Sequence, residues 1–168
     1  MIQQRTLALP RSRVHPVITA GVLVGILDIL AAFVVRYSFS RVSPVRVLQG
    51  IASGLLGPAA FTGGPATAVL GMFLHLVIAF GVAGVYYAVS RKWRFLVQHP
   101  IVSGVLYGIT VHAVMNGIVL PLSRLPIGPR TPPLSFTLVM VIVHIFFVGL
   151  PVSLTVAHSD RAHGTRTP

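Results

Sequence analysis

The chain has 168 residues, 54% of them hydrophobic and 9% charged, with a mean hydropathy of +0.86; a soluble domain has about 25% charged residues, so there is too little polar surface to wet a globule and the chain reads as one membrane domain. The net charge of +11 would point to nucleic acid in a soluble protein, but the basic residues sit at the ends of apolar runs, where they set topology and meet anionic lipid headgroups, so no nucleic-acid partner is expected. The absence of cysteine excludes disulfides, thiolate metal sites and cysteine nucleophiles, and with Asp28 and Asp160 as the only acids a two-carboxylate hydrolase is excluded unless a partner contributes.

Residues 1–16 form a basic segment, with Arg5, Arg11 and Arg13 ahead of the first apolar run. That run, 17–35, is longer than a signal-peptide core and no small-residue cleavage site follows it, so it is read as an uncleaved span. Gly21 and Gly25 make a G-x-x-x-G pair with Asp28 and Ala32 on the same face, which marks a helix-packing face. Residues 44–57 lie between Pro44 and Pro58, with Arg46, Gln49, Gly50 and Ser53 on one side. This spacing predicts an amphipathic helix of about three turns, too short to cross and lying in the bilayer interface. The glycines at 50, 54 and 57 keep a re-entrant alternative open.

The second span, 66–89, ends in Tyr86 and Tyr87, which suit the headgroup layer. Arg91, Lys92, Trp93 and Arg94 follow as a basic, aromatic interfacial anchor. The third span, 101–120, carries a second glycine pair, Gly104 and Gly108, and the same i+4 series continues through His112 to Asn116. A turn rich in proline, 122–134, leads to the fourth span, 136–156, with His144 near its middle, and the tail 157–168 is polar and expected to fray. The membrane domain is thus 17–156. Eight of the thirteen Lys and Arg residues lie at the two termini and between the second and third spans. The excess places both termini in the cytoplasm. The expected fold is all-α: a four-helix membrane bundle with an added interfacial helix, in which short loops make spans two and three, and three and four, antiparallel neighbours.

Each span carries one ionisable residue near its middle: Asp28, His75, His112 and His144. At the helical rise their depths are about 16–21 Å from the cytoplasmic edge, near the midplane of a hydrocarbon core about 30 Å thick. Such groups cost a few kcal/mol when they face lipid, so convergence on a shared interior is predicted. Four uses compete for the cluster of Asp28, His75, His112, Asn116 and His144. They can fix helix packing through hydrogen bonds, or carry a proton or small solute, with Asp28 as gate or counter-charge and the histidines as relay. Asp28, His75, His112 and His144 can also serve as ligands to a divalent metal, although local spacing gives no support, or two of the histidines can hold a b-type haem. No catalytic residue is singled out, for want of a nucleophile–base pairing, and enzyme activity is not expected. His15, His99, His158 and His163 lie at span edges or in the tail and are read as interfacial or solvated.

The stretches SPVRVLQGIASGLLG, LHLVIAFGVAGVYY, the segment 104–122 with VHAVMN at its centre, and HIFFVGLP together resemble a family of small, uncharacterised bacterial inner-membrane proteins with four predicted helices. The resemblance covers residues 21 to 156 and implies a bacterial inner membrane and four spans; it implies no chemistry. Four spans enclose little volume, and the glycine-rich faces allow self-association, so a homodimer or a place in a larger membrane complex is expected.

Overall fold

The structure, a computed structural model, describes residues 15–126 and 132–164. Most of the basic N-terminal segment, the middle of the proline-rich turn and the last four residues of the tail lie outside the described residues. All regular structure among the described residues is helical. The elements are α1 (Pro16–Ser40), α2 (Pro44–Leu56), a 3₁₀ turn (Gly57–Phe61), α3 (Gly64–Lys92), a single-turn α4 (Phe95–Gln98), α5 (Pro100–Leu122) and α6 (Leu134–Ala162), whose backbone remains helical to Gly164. Helices α1, α3, α5 and α6 are each long and apolar enough to cross a membrane, which makes the chain a multi-pass membrane protein.

The helix boundaries follow from local chemistry. Pro16, Pro44 and Pro100 begin their helices, where a missing N–H costs no intrahelical bond. The Ser43 hydroxyl accepts from Arg46 N–H at 3.4 Å, and His15 Nδ1 accepts from Val17 N–H at 3.3 Å. Helix α1 ends at Arg41 in the left-handed region (φ 53°), its N–H returned to the Tyr37 carbonyl. Downstream of His112 and at His144 the backbone widens into π-helical turns, Met115–Val119 and His144–Gly149. Each turn ends two residues before a proline, Pro121 or Pro151, whose ring would otherwise crowd the carbonyl four residues back.

Helix α1 packs on both α3 and α6, and α6 packs along α5. Glycine makes the close contacts. A Cβ on Gly25 would come 2.8 Å from Leu76 of α3, and one on Gly21 would run into the Phe80 ring. On the α5–α6 seam a Cβ on Gly108 would come 2.6 Å from the His144 carbonyl oxygen, and one on Gly149 would run into the Gly104 carbonyl. Gly149 completes a seam of which the sequence reading named only Gly104 and Gly108.

Helices α3 and α5, expected to be antiparallel neighbours, scarcely approach through their backbones. They meet through two tyrosines, Tyr86 and Tyr107, with ring centroids 4.9 Å apart, edge to face. The Tyr107 hydroxyl donates to the Val82 carbonyl at 2.6 Å, and the Tyr86 hydroxyl donates to the Leu96 carbonyl at 3.0 Å. Tyr86 is therefore buried against protein (1% exposed). Bulky rings with bonded hydroxyls prop the two helices apart where glycines would have drawn them together.

Helix α2 also departs from a simple interfacial helix. Its polar side chains Gln49 and Ser53 are buried, while Val45, Leu55 and Leu56 are exposed. The reason is a set of internal partners. Gln49 Nε2 donates to the Gly64 carbonyl at 3.1 Å, Ser53 donates to the Gly50 carbonyl at 2.7 Å, and Gly71 of α3 lies against the Leu48 carbonyl with no room for a Cβ. At its far end the Gly54 carbonyl accepts from Arg124 N–H at 2.8 Å, tying α2 to the segment that follows α5. Helix α2 thus bridges from α3 to the end of α5 across one end of the helix packing.

The polar tail expected from residue 157 is instead the last part of α6. Val156 and Ala157 are buried, and Asp160 receives both Arg94 guanidinium nitrogens at 3.0 Å. Arg94, read as a headgroup anchor, spends its fork on this carboxylate. Arg91, Lys92 and Trp93 remain exposed.

The α5–α6 seam predicts a contrast between two glycines. Gly149→Ala should lower stability by about 1–3 kcal/mol, because backbone on α5 has to move. Gly117→Ala, whose Cβ would meet nothing within 4 Å, should be neutral or stabilising by up to about 1 kcal/mol. Thermal unfolding of the two variants in detergent, followed by circular dichroism, measures the difference.

Candidate functional site

On the α1–α3 side, His75 is buried (8% exposed), and its Nε2–H donates to the Gly25 carbonyl at 2.9 Å. That bond leaves Nδ1 as the acceptor nitrogen. The glycine matters here, since Gly25 lets α3 come near enough for the ring to reach α1 backbone. Asp28 lies three residues further along α1. Its Oδ1 is buried and has no hydrogen-bond partner among the described residues. Buried polar atoms are nearly always bonded, so this oxygen needs a proton, a water or a solute from outside the chain.

On the α5–α6 side, the rings of His112 and His144 meet edge to face with centroids 5.0 Å apart. His144 Nδ1–H donates to the Met140 carbonyl, one turn earlier, at 2.7 Å, which leaves Nε2 as acceptor. Asn116 does not join the interior. Its side-chain amide donates to the His112 carbonyl at 2.9 Å, and the residue is exposed. Like His112, it stands one residue round the helix from the cavity-lining Val111 and Met115, so it shares the His112 face, with its amide 3.4 Å from His112 Nε2.

Asp28, His75 and His144 line one half-open cavity of about 830 Å³, walled by α1, α2, α3, α5 and α6. His112 stands behind His144 and does not line it. Three of the five cluster residues thus line one cavity, with His112 touching His144 and Asn116 bonded to His112 outside it. Two further lining residues escaped the sequence reading, Arg36 and Arg46. Arg36 repeats the i+4 series Asp28, Ala32, Arg36, all three of which face the cavity. Arg46 sits on α2, whose inward-facing polar side the sequence reading assigned to water. It donates to the Phe61 carbonyl at 2.9 Å and to Gln49 Oε1 at 3.3 Å, with its guanidinium 4.5 Å from the Phe61 ring centroid.

The geometry also bears on the two cofactor readings. Among the described residues, no three His or Asp side chains come together as a metal site needs, so at most two imidazoles could share an ion. A haem between His112 and His144 does not fit either, because the rings touch edge to face and leave no gap for a macrocycle.

Stability separates the roles of Asp28 and His75. Asp28→Asn should leave unfolding within about 1 kcal/mol of wild type, since no protein bond is lost. His75→Ala should cost about 1–3 kcal/mol, through the lost bond to Gly25 and the space left behind. Chemical or thermal unfolding in one neutral detergent compares the two; a larger loss from Asp28→Asn would mean that this carboxyl has a structural partner after all. No protein-family model, curated protein or solved structure matches the chain.

Proposed function

We propose that this chain moves protons, or a small solute together with protons, through the cavity lined by Asp28, His75 and His144. The observation that carries the reading is the buried, unbonded Oδ1 of Asp28 at the wall of an 830 Å³ cavity within apolar helices. An intramembrane carboxyl without a protein partner is costly unless it exchanges partners as part of its work. The acceptor nitrogens of His75 and His144, which line the same cavity, supply further hydrogen-bonding stations. In this reading α1, α3, α5 and α6 span a bacterial inner membrane with both termini in the cytoplasm, the outward apolar side chains meet acyl chains, and α2 lies at the opposite face. Helix packing through glycine leaves room for a homodimer or a place in a larger complex.

A second use of the same residues has its own support. His75 and His144 each bond a backbone carbonyl, as purely structural groups would. An accessory subunit would need nothing more of them. The two uses part at Asp28. In liposomes carrying a pH gradient, the reconstituted wild-type chain should dissipate the gradient, and Asp28→Asn should slow this at least about tenfold while inserting and unfolding like wild type. If wild-type liposomes hold the gradient as long as empty ones, with candidate solutes present or absent, the structural role stands instead.

A further inference from the structure

The cavity is chemically lopsided. Six of its lining residues carry polar side chains: Asp28, Arg36, Arg46, His75, Ser123 and His144; the others are apolar or glycine. Arg36 lies eight residues beyond Asp28 on α1, about 12 Å along the axis at the helical rise. The gap between is walled by Ile29 and Ala32 of α1 and by Val47 and Ile51 of α2.

Among the described residues the two arginines meet no carboxylate. The chain has two acids; Asp160 is held by Arg94, and Asp28 lies two turns from Arg36. Among the described residues Arg36 makes only a stacking contact, 5.7 Å from the Phe136 ring centroid. Arg46 spends one nitrogen, NH1, on the Phe61 carbonyl and Gln49, so Nε and NH2 keep donors to spare. Two guanidinium groups at the rim of an apolar cavity call for an anion, and the cavity behind them calls for a hydrocarbon tail. Its volume falls within the range of about 300–1,000 Å³ usual for ligand sites.

We infer that the cavity binds a single-chain anionic amphiphile drawn from the bilayer, its carboxylate or phosphate held between Arg36 and Arg46 and its tail lying between α1 and α2 toward Asp28. The forked donors of arginine suit either headgroup. The inference rests on the proposed function in taking this cavity as the working site, and it names the class of solute.

The test uses the full chain in a neutral detergent, with a fluorescent long-chain polyene carboxylate as probe and its methyl ester as control. The acid should bind saturably, and the ester about tenfold more weakly, as loss of one charged hydrogen-bonding headgroup predicts. Arg36→Gln with Arg46→Gln should weaken the acid about tenfold and leave the ester unchanged. Equal binding of acid and ester, or an unchanged acid affinity in the double variant, overturns the inference. So does displacement of the acid by inorganic phosphate at matching concentrations, which would mark a site for soluble anions. Should the double variant not fold, a wild-type readout decides: a carboxylate with a photoreactive tail should label Ala32, Val47 or Ile51, and labelling confined to outward residues such as Val69 and Phe73 overturns it. Asp28→Asn should still bind the acid. Binding without flux in wild type would sink the transport reading and leave this site standing, whereas proton flux without acid binding would do the reverse.

Discussion

Hydrocarbon offers no hydrogen-bond partner, and this single fact organises the interior of the chain. The side chains that would be stranded find backbone carbonyls instead: His75 on Gly25, His144 on Met140, Tyr107 on Val82, Tyr86 on Leu96 and Asn116 on His112. Backbone carbonyls already engaged in a helix have a second lone pair, so they can accept such bonds without unwinding. Against that pattern, Asp28 Oδ1 and Ser103 Oγ are buried without a hydrogen-bond partner among the described residues. An ionised carboxylate cannot donate, so a carbonyl is no partner for it, and the N–H groups nearby are spent within α1.

The cavity is the outcome of two opposed kinds of contact. Glycines draw α1 onto α3 and α5 onto α6 until backbone meets side chain or backbone. The Tyr86–Tyr107 pair holds α3 and α5 apart. Two tight seams and one propped one leave space, and α2 lies across one end of it. Helix α2 turns Arg46 and the apolar Val47, Ile51 and Leu55 to the cavity, buries Gln49 and Ser53 within the protein, and leaves Val45 and Leu56 outside.

Much of this was legible in the residues. The apolar stretches and the prolines at or near their starts give where the long helices begin to within two residues, because a missing N–H is a local property, while α1 and α6 run on past the expected ends. Gly21, Gly25, Gly104 and Gly108 mark seams, because a missing Cβ in G-x-x-x-G spacing is itself the contact. What was not legible depends on partners distant in sequence. The bond from Gln49 to Gly64 and the contact of Leu48 with Gly71 turn α2 over, and Asp160 reaching Arg94 makes a helix of an expected loose tail. Asp28, His75 and His144 line one cavity, yet rise per residue says nothing of rotation. For Asn116, rotation decides the outcome.

Rotation in turn goes back to proline. An α-helix that meets Pro121 or Pro151 must free the carbonyl four residues earlier, and widening the turn by one residue does this without breaking the span. The wider winding leaves Leu120 N–H bonded to Met115 and Leu150 N–H bonded to Ile145, one residue further back than in a regular helix. Everything beyond the turn is then swung about the axis relative to what precedes it. In α5 the cavity is lined by Val111, Met115 and Val119, and His112 and Asn116, each one residue further on, share the adjacent face. In α6 the wide turn begins at His144 itself, so the ring keeps the orientation set by the regular helix before it, bonded to Met140 and facing the cavity. The two prolines thus set wide turns beside the histidine pair that joins α5 to α6.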